Sequence, residues 1–149
     1  MLHSFSTLKK EDMTQKLNKI LLVDDNEADN YLHKLIISEA QVAETVVDQP
    51  DGKAAIEYLQ GEAGKLPPDL IFLDINMPRM NGWEFLEAYN QLPDEAQKAV
   101  VIVMLTTSVF SKDRERAEHL PNFSGFLNKP LTEEDLLRVL RENFPDRFE

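Results

Sequence analysis

Four short segments of the sequence each end in a polar residue that can act on a phosphoryl group. Lys19–Val23 runs into Asp24-Asp25, Leu70–Leu73 into Asp74, Val100–Leu105 into Thr106, and Gly125–Asn128 into Lys129. A pair of carboxylates facing a third repels it, and one proton is retained near neutral pH unless a cation joins them. An all-oxygen set of this kind suits Mg²⁺, which takes one or two carboxylates, keeps several waters and accepts phosphate oxygens. With a carboxylate nucleophile, a hydroxyl and a fixed ammonium, the set has the parts of a phosphoryl-transfer site, where catalysis is mostly positioning and charge neutralisation. In that reading Asp74 attacks phosphorus in line and Mg²⁺ on Asp25 and Asp74 neutralises the developing charge. Thr106 and Lys129 hold the equatorial oxygens.

Each residue alone has a plainer reading. Asp24-Asp25 can be a solvated turn at a helix start, Asp74 a helix cap, Thr106 a turn residue and Lys129 a surface lysine. What favours the chemical reading is that all four positions lie at the same end of four of the five strands.

The elements that must place them follow from pattern. Leu70–Asp74 is a continuous apolar run ending in a carboxylate, bounded by Pro67-Pro68 upstream and by Pro78 and Asn81-Gly82 downstream. Such a run reads as a strand buried on both faces. Further strands are predicted over Lys19–Val23, Val42–Val47, Val100–Leu105 and Gly125–Asn128. Helices fall between and after them. The first starts after the Asn26 cap, repeats Tyr31, Leu32, Leu35 and Ile36 at helical spacing and runs to about Ala40. The others cover Lys53–Gln60, a segment capped by Asn81 with Glu84 at the capping-box position, about Lys112–Leu120 after a Ser111 cap, and a segment opened by Thr132 and stopped by Pro145. The lone tryptophan, Trp83, reads as a packed helix residue. Strand and helix alternating five times imply an α/β, doubly wound, five-stranded parallel sheet with five helices on two faces. In such a sheet the carboxyl ends of the strands share one rim, where ligands bind.

Composition narrows the classes. The chain has 149 residues, enough for one domain. Residues 1–18 read as a flexible polar leader, with Met13 an alternative start, and 19–149 as the domain. A net charge of −11 argues against direct nucleic-acid binding, which neutralises phosphates with lysine and arginine. No apolar run approaches bilayer-spanning length, and the first residues lack the apolar core of a secretory signal. The absence of cysteine removes thiolate chemistry and fits a cytoplasmic protein.

With these residues in place, the chain resembles the receiver domain of bacterial two-component response regulators, of the chemotaxis-regulator type. The resemblance covers about Lys19 to Phe144. It is carried by Leu22-Val23-Asp24-Asp25, Asp74-Ile75-Asn76-Met77-Pro78 with Met80-Asn81-Gly82, Thr106, and Phe126-Leu127-Asn128-Lys129-Pro130. It implies a flavodoxin-like fold with strand order 2-1-3-4-5. It also implies that Asp74 is the phosphoacceptor. Asp25 is implied as a direct Mg²⁺ ligand, Asp24 as one acting mainly through water, and the Asn76 backbone carbonyl as a further ligand. Thr106 and Lys129 become the phosphate-binding pair, with a cis peptide between Lys129 and Pro130. Thr106 and Phe126 form the switch, reshaping the face made by the fourth helix, fifth strand and fifth helix. Family members often carry alanine or glycine after the threonine. Thr107 is bulkier and polar, which points to an altered lifetime of the phosphorylated state.

The expectation is a stand-alone regulator that takes a phosphoryl group from a sensor histidine kinase or histidine phosphotransfer protein and signals to a separate effector protein. It assists its own phosphorylation and dephosphorylation without being an enzyme in the turnover sense. Two alternatives remain: an Mg²⁺-dependent phosphatase with an aspartate nucleophile, and a receiver-like binding module that is never phosphorylated. The phosphatase pattern wants a second acid two residues after the nucleophile, where Asn76 stands. A dinucleotide-binding fold is disfavoured because Asp24-Asp25-Asn26, not a glycine-rich loop, follows the first strand.

Overall fold

The computed structural model describes residues 16–61, 66–97, 101–107, 111–117 and 120–148. The leader reading for residues 1–15, the Met13 start and the Ser111 cap's side chain lie outside the described part.

Five strands form one sheet in the order β2-β1-β3-β4-β5, every pair parallel. They are β1 (Leu17–Val23), β2 (Ala43–Gln49), β3 (Leu70–Asp74), β4 (Val101–Thr106) and β5 (Phe123–Asn128). The helices between and after them are α1 (Glu27–Ala40), α2 (Gly52–Gln60), α3 (Gly82–Tyr89), α4 (Ser111–Ala117) and α5 (Glu133–Asn143), with a single further helical turn at Asp94–Gln97. The fold class matches the reading from sequence, and the strand order is the one the resemblance implies.

The apolar runs form strands because both faces of the central sheet are covered. Alternate residues go to opposite layers, as the two-residue strand period requires. Leu21, Val23, Ile71, Leu73, Ile102 and Met104 pack with residues of α2, α3 and α4. Ile20, Leu22, Leu70, Phe72, Val103 and Leu105 pack with Ile37 of α1 and with Leu136, Val139 and Leu140 of α5. All five residues of β3 are buried. At ~1.5–3 kcal/mol per fully buried large apolar side chain, Leu70, Ile71, Phe72 and Leu73 anchor this strand firmly between the two layers.

Several boundaries differ from the sequence reading. β1 starts at Leu17, two residues before Lys19, because Leu17 is buried and its N–H donates to Val42 O at 2.9 Å. β5 starts at Phe123, since Ile102 N–H already pairs with Asn122 O at 2.8 Å. The long connection after Leu92 contains the helical turn, and the Gln97 side chain ties it to the carbonyls of Asn90 and Leu92.

The face of α1 differs most. Tyr31, Leu32 and Leu35 are exposed, at 71%, 38% and 43%. The buried residues are Asn30, His33 and Ile37.

Candidate functional site

β1 delivers Asp24 and Asp25 to the carboxyl rim of the sheet. Asp24 is buried and held locally: its Oδ1 accepts from Asn26 N–H at 2.9 Å, and its carbonyl accepts from the Asn30 side-chain amide at 2.9 Å. Asp25 is exposed. Asn26 then caps α1 by accepting from Asp29 N–H at 3.0 Å, which turns the chain away immediately after the acidic pair.

β3 ends at Asp74, next to β1 in the sheet. The turn that follows is tight. Gly82 N–H donates to Ile75 O at 2.8 Å, and Arg79 takes a left-handed backbone with φ 66°. A reciprocal Asn81–Glu84 capping box starts α3. Glycine is required at 82, because a Cβ there stands 2.9 Å from Asp74 O and from Ile75 Cα.

β4 supplies Thr106, which is buried. Its carbonyl accepts from Lys129 N–H at 2.8 Å, linking the ends of β4 and β5. The Lys129–Pro130 peptide is cis.

These residues converge. Carboxylate oxygens of Asp24, Asp25 and Asp74 lie within 4.8 Å of one another. The Lys129 ammonium sits 2.7 Å from Asp24 Oδ2, 3.0 Å from Asp29 Oδ2 and 3.4 Å from Asp74 Oδ1. Around them is an open cavity of about 350 Å³, lined also by Asn26, Asn76 and Thr107. Burial, and then repulsion from Asp24, push the Asp74 carboxyl up to about 6, against the pull of Lys129 and of the Asn76 N–H. For Lys129, burial favours the neutral form. The contacts with Asp24 and Asp29 and the attraction of Asp74 outweigh it, leaving the pKa above the usual lysine range.

The donor set fits a hard divalent cation. It is all carboxylate oxygen, with no nitrogen or sulfur ligand among the described residues. Asp24 Oδ2 is buried and has the ammonium as an ion-pair neighbour but no aligned hydrogen bond. It therefore retains acceptor capacity for a metal-bound water.

Phe126 lies on β5 beside Met104. Its ring meets Trp83 edge-on at 6.4 Å and Phe123 at 4.9 Å. On Trp83, the Arg116 guanidinium of α4 stacks at 4.7 Å. Thus Trp83 is packed, as its helix position indicated, and it also joins Phe126 to α4.

A family model for the response regulator receiver domain matches residues 20–141. The chain belongs to the response regulator receiver family. Among curated relatives, the probable methanogenesis regulatory protein FilR2 of Methanothrix harundinacea is 34% identical, over 83% of this chain and 79% of that protein. The response regulator Rcp1 of Synechocystis is also 34% identical, over 82% of this chain and 83% of its own length. A solved two-component response regulator from Cytophaga hutchinsonii superposes with a TM-score of 0.79 at 29% identity, covering 87% of this chain and 98% of that one.

Asp29 and His33 are not in the motifs quoted above, yet one touches Lys129 and the other holds the segment after it. Asp29 was detectable in part, since it follows Asp24 by five residues at the start of the next helix and so belongs to the same rim. His33 carried no such signal. Among the described residues no helix is long and apolar enough to cross a membrane.

Proposed function

We propose that this receiver is a phosphorylation-driven regulator in which Asp74 accepts a phosphoryl group from a phosphohistidine donor, on a sensor histidine kinase or a histidine phosphotransfer protein. The observation that carries the reading is the convergence of three carboxylates and one ammonium at a single strand-end cavity. Asp24, Asp25, Asp74 and the Asn76 carbonyl are the residues to hold Mg²⁺, which supplies charge neutralisation at the phosphoryl oxygens.

The chain's own residues do the rest. Asp74 must be ionised to attack, and its pKa is raised first by burial and then by repulsion from Asp24, both of which a bound cation would offset. Attack forms the Asp74 Oδ–P bond as the P–N bond to the donor imidazole breaks, and the imidazole nitrogen leaves with the electron pair. Lys129 and the Thr106 hydroxyl then bind phosphoryl oxygens. Thr107, on the cavity wall, stands where it can restrict water. The Thr106 and Phe126 movement is read at the α4–β5 edge, where Arg114, Leu120, Phe123 and Phe126 border an open groove of about 570 Å³. That face suits a separate effector protein. The net charge of −11 makes nucleic acid a poor direct partner. The cytoplasm is the proposed compartment, where such donors operate.

Phosphoryl counting tests the reading. With acetyl phosphate and Mg²⁺ the protein gains at most one phosphoryl group, needs the metal to do so, and loses the group slowly. Release of many phosphates per protein from a phosphate monoester supports the phosphatase alternative instead.

A further inference from the structure

Among the described residues, Asp29 is the one carboxylate in contact with Lys129 that the Mg²⁺ and phosphoryl assignments do not use. It belongs to the first turn of α1, one residue before the buried Asn30 that bonds the Asp24 carbonyl. Its Oδ2 lies 3.0 Å from the Lys129 Nζ across 100 residues of sequence. Its side chain is half-buried on the wall of the phosphoacceptor cavity. The three lysine contacts differ in kind. Asp24 and Asp74 belong to the acidic cluster and face any cation bound there, whereas Asp29 is absent from that cluster among the described residues. It holds the ammonium from the α1 side.

We infer that Asp29 is a positioning residue that parks Lys129 against α1 in the resting receiver, so that phosphoryl capture requires the ammonium to exchange Asp29 for a phosphoryl oxygen. This rests on Asp74 being the phosphoacceptor. An ammonium has three donors and no geometric fork, so it redistributes readily among oxygens. Removing one anionic competitor strengthens the lysine's hold on an incoming phosphoryl group. The gain is that of a partly exposed ion pair, roughly two- to fivefold. The consequence is a receiver whose phosphorylated state is less persistent than its Thr106–Lys129 pair alone dictates.

The test uses the full chain with Mg²⁺ and two probes: beryllofluoride for affinity, and phosphoramidate to load the phosphoryl group, whose loss is timed once the donor is removed. Asp29→Asn binds beryllofluoride roughly two- to fivefold more tightly and loses its phosphoryl group more slowly by a similar factor. Glu27→Gln removes a charge from the same helical turn at an exposed position and leaves both values unchanged. In a Lys129→Ala background the Asp29→Asn effect disappears, because the coupling runs through the lysine. An equal effect from Glu27→Gln, or an Asp29→Asn effect that survives without Lys129, overturns the inference and leaves a general charge effect on an anionic donor. No effect of Asp29→Asn in a protein that is phosphorylated normally overturns the inference alone. A wild type that neither gains a phosphoryl group nor binds beryllofluoride removes the phosphoacceptor reading and this inference together.

Discussion

His33 Nε2, on α1, accepts a hydrogen bond from the Leu131 N–H at 3.2 Å, two residues past Lys129. The ring is almost fully buried, and the bond joins α1 to the segment that leads from Lys129 into α5. Accepting at Nε2 fixes the neutral ring as the Nδ1–H tautomer. Replacing His33 with leucine strands a buried N–H, which costs about 1–3 kcal/mol. Chemical denaturation checks that loss. Phosphorylation slows as well, since the lysine's loop is less firmly placed.

The same residue gives a pH dependence. Burial lowers the His33 pKa, against the attraction of Asp29 and Asp24 and with the help of Lys129. The folded protein therefore resists a proton that the unfolded chain takes up near pH 6.5. The stabilising contribution is complete above that value and is lost as pH falls through the lower folded-state pKa. Stability measured between pH 7.5 and 5 declines less steeply in His33→Leu than in the wild type.

Asp74 behaves in the opposite sense. Its carboxyl is raised to about 6 by burial and by Asp24, with Asp25 close by and Lys129 and the Asn76 N–H opposing. A folded pKa above the unfolded one stabilises fully below about pH 4, and that contribution is lost as pH rises through about 6. In metal-free protein at pH 7.5, Asp74→Asn is thus the more stable form. The gain is of order 1–2 kcal/mol, reduced from the full shift because solvent enters the cavity. Adding Mg²⁺ raises the melting temperature of the wild type more than that of the variant. A wild type already more stable than the variant without metal contradicts this.

Gly82→Ala places a methyl group against the backbone at Asp74 O and Ile75 Cα. Neither is a flexible side-chain end, so the β3–α3 turn must move. The expected cost is about 1–3 kcal/mol, with slower phosphorylation, because the displaced backbone carries Asp74, the proposed phosphoacceptor. Comparing Gly82→Ala with Gly61→Ala, where the nearest atom is 3.4 Å away, separates this from a general loss of chain flexibility.

Trp83 is the sole tryptophan, and it touches both Phe126 and Arg116. If Phe126 turns inward on phosphorylation, one edge of the indole changes neighbour. Trp83 emission then shifts in intensity when beryllofluoride and Mg²⁺ are added together. The change is absent in Asp74→Asn and at least halved in Phe126→Ala. An unchanged spectrum on saturation contradicts a switch running through Phe126.

The sheet and its rim were legible because their signals are local. Continuous apolar runs such as Leu70–Leu73, each closed by a polar residue, set strand type, layer and end at once. Asn26, Asn81 and Thr132 serve as the helix caps their positions indicated, each accepting from a backbone N–H three residues on. The α1 face was not legible in the same way. Tyr31, Leu32 and Leu35 give a helical repeat, yet the buried side carries Asn30 and His33, each with a hydrogen-bond partner outside the helix, Asn30 just past the end of β1 and His33 in the segment after Lys129. Those partners, Asp24 O and Leu131 N, are backbone groups that leave no trace in residue type. The Asp29–Lys129 contact was hidden for a related reason, since its two residues meet only once the sheet order brings β1 and β5 to one rim.

The most direct test of the account is intact mass after incubation with acetyl phosphate and Mg²⁺, run on the wild type and on Asp74→Asn. The account predicts one added phosphoryl group in the wild type, none without metal, and none in the variant. A phosphoryl group that persists in Asp74→Asn means that another residue is the acceptor, and contradicts the central claim.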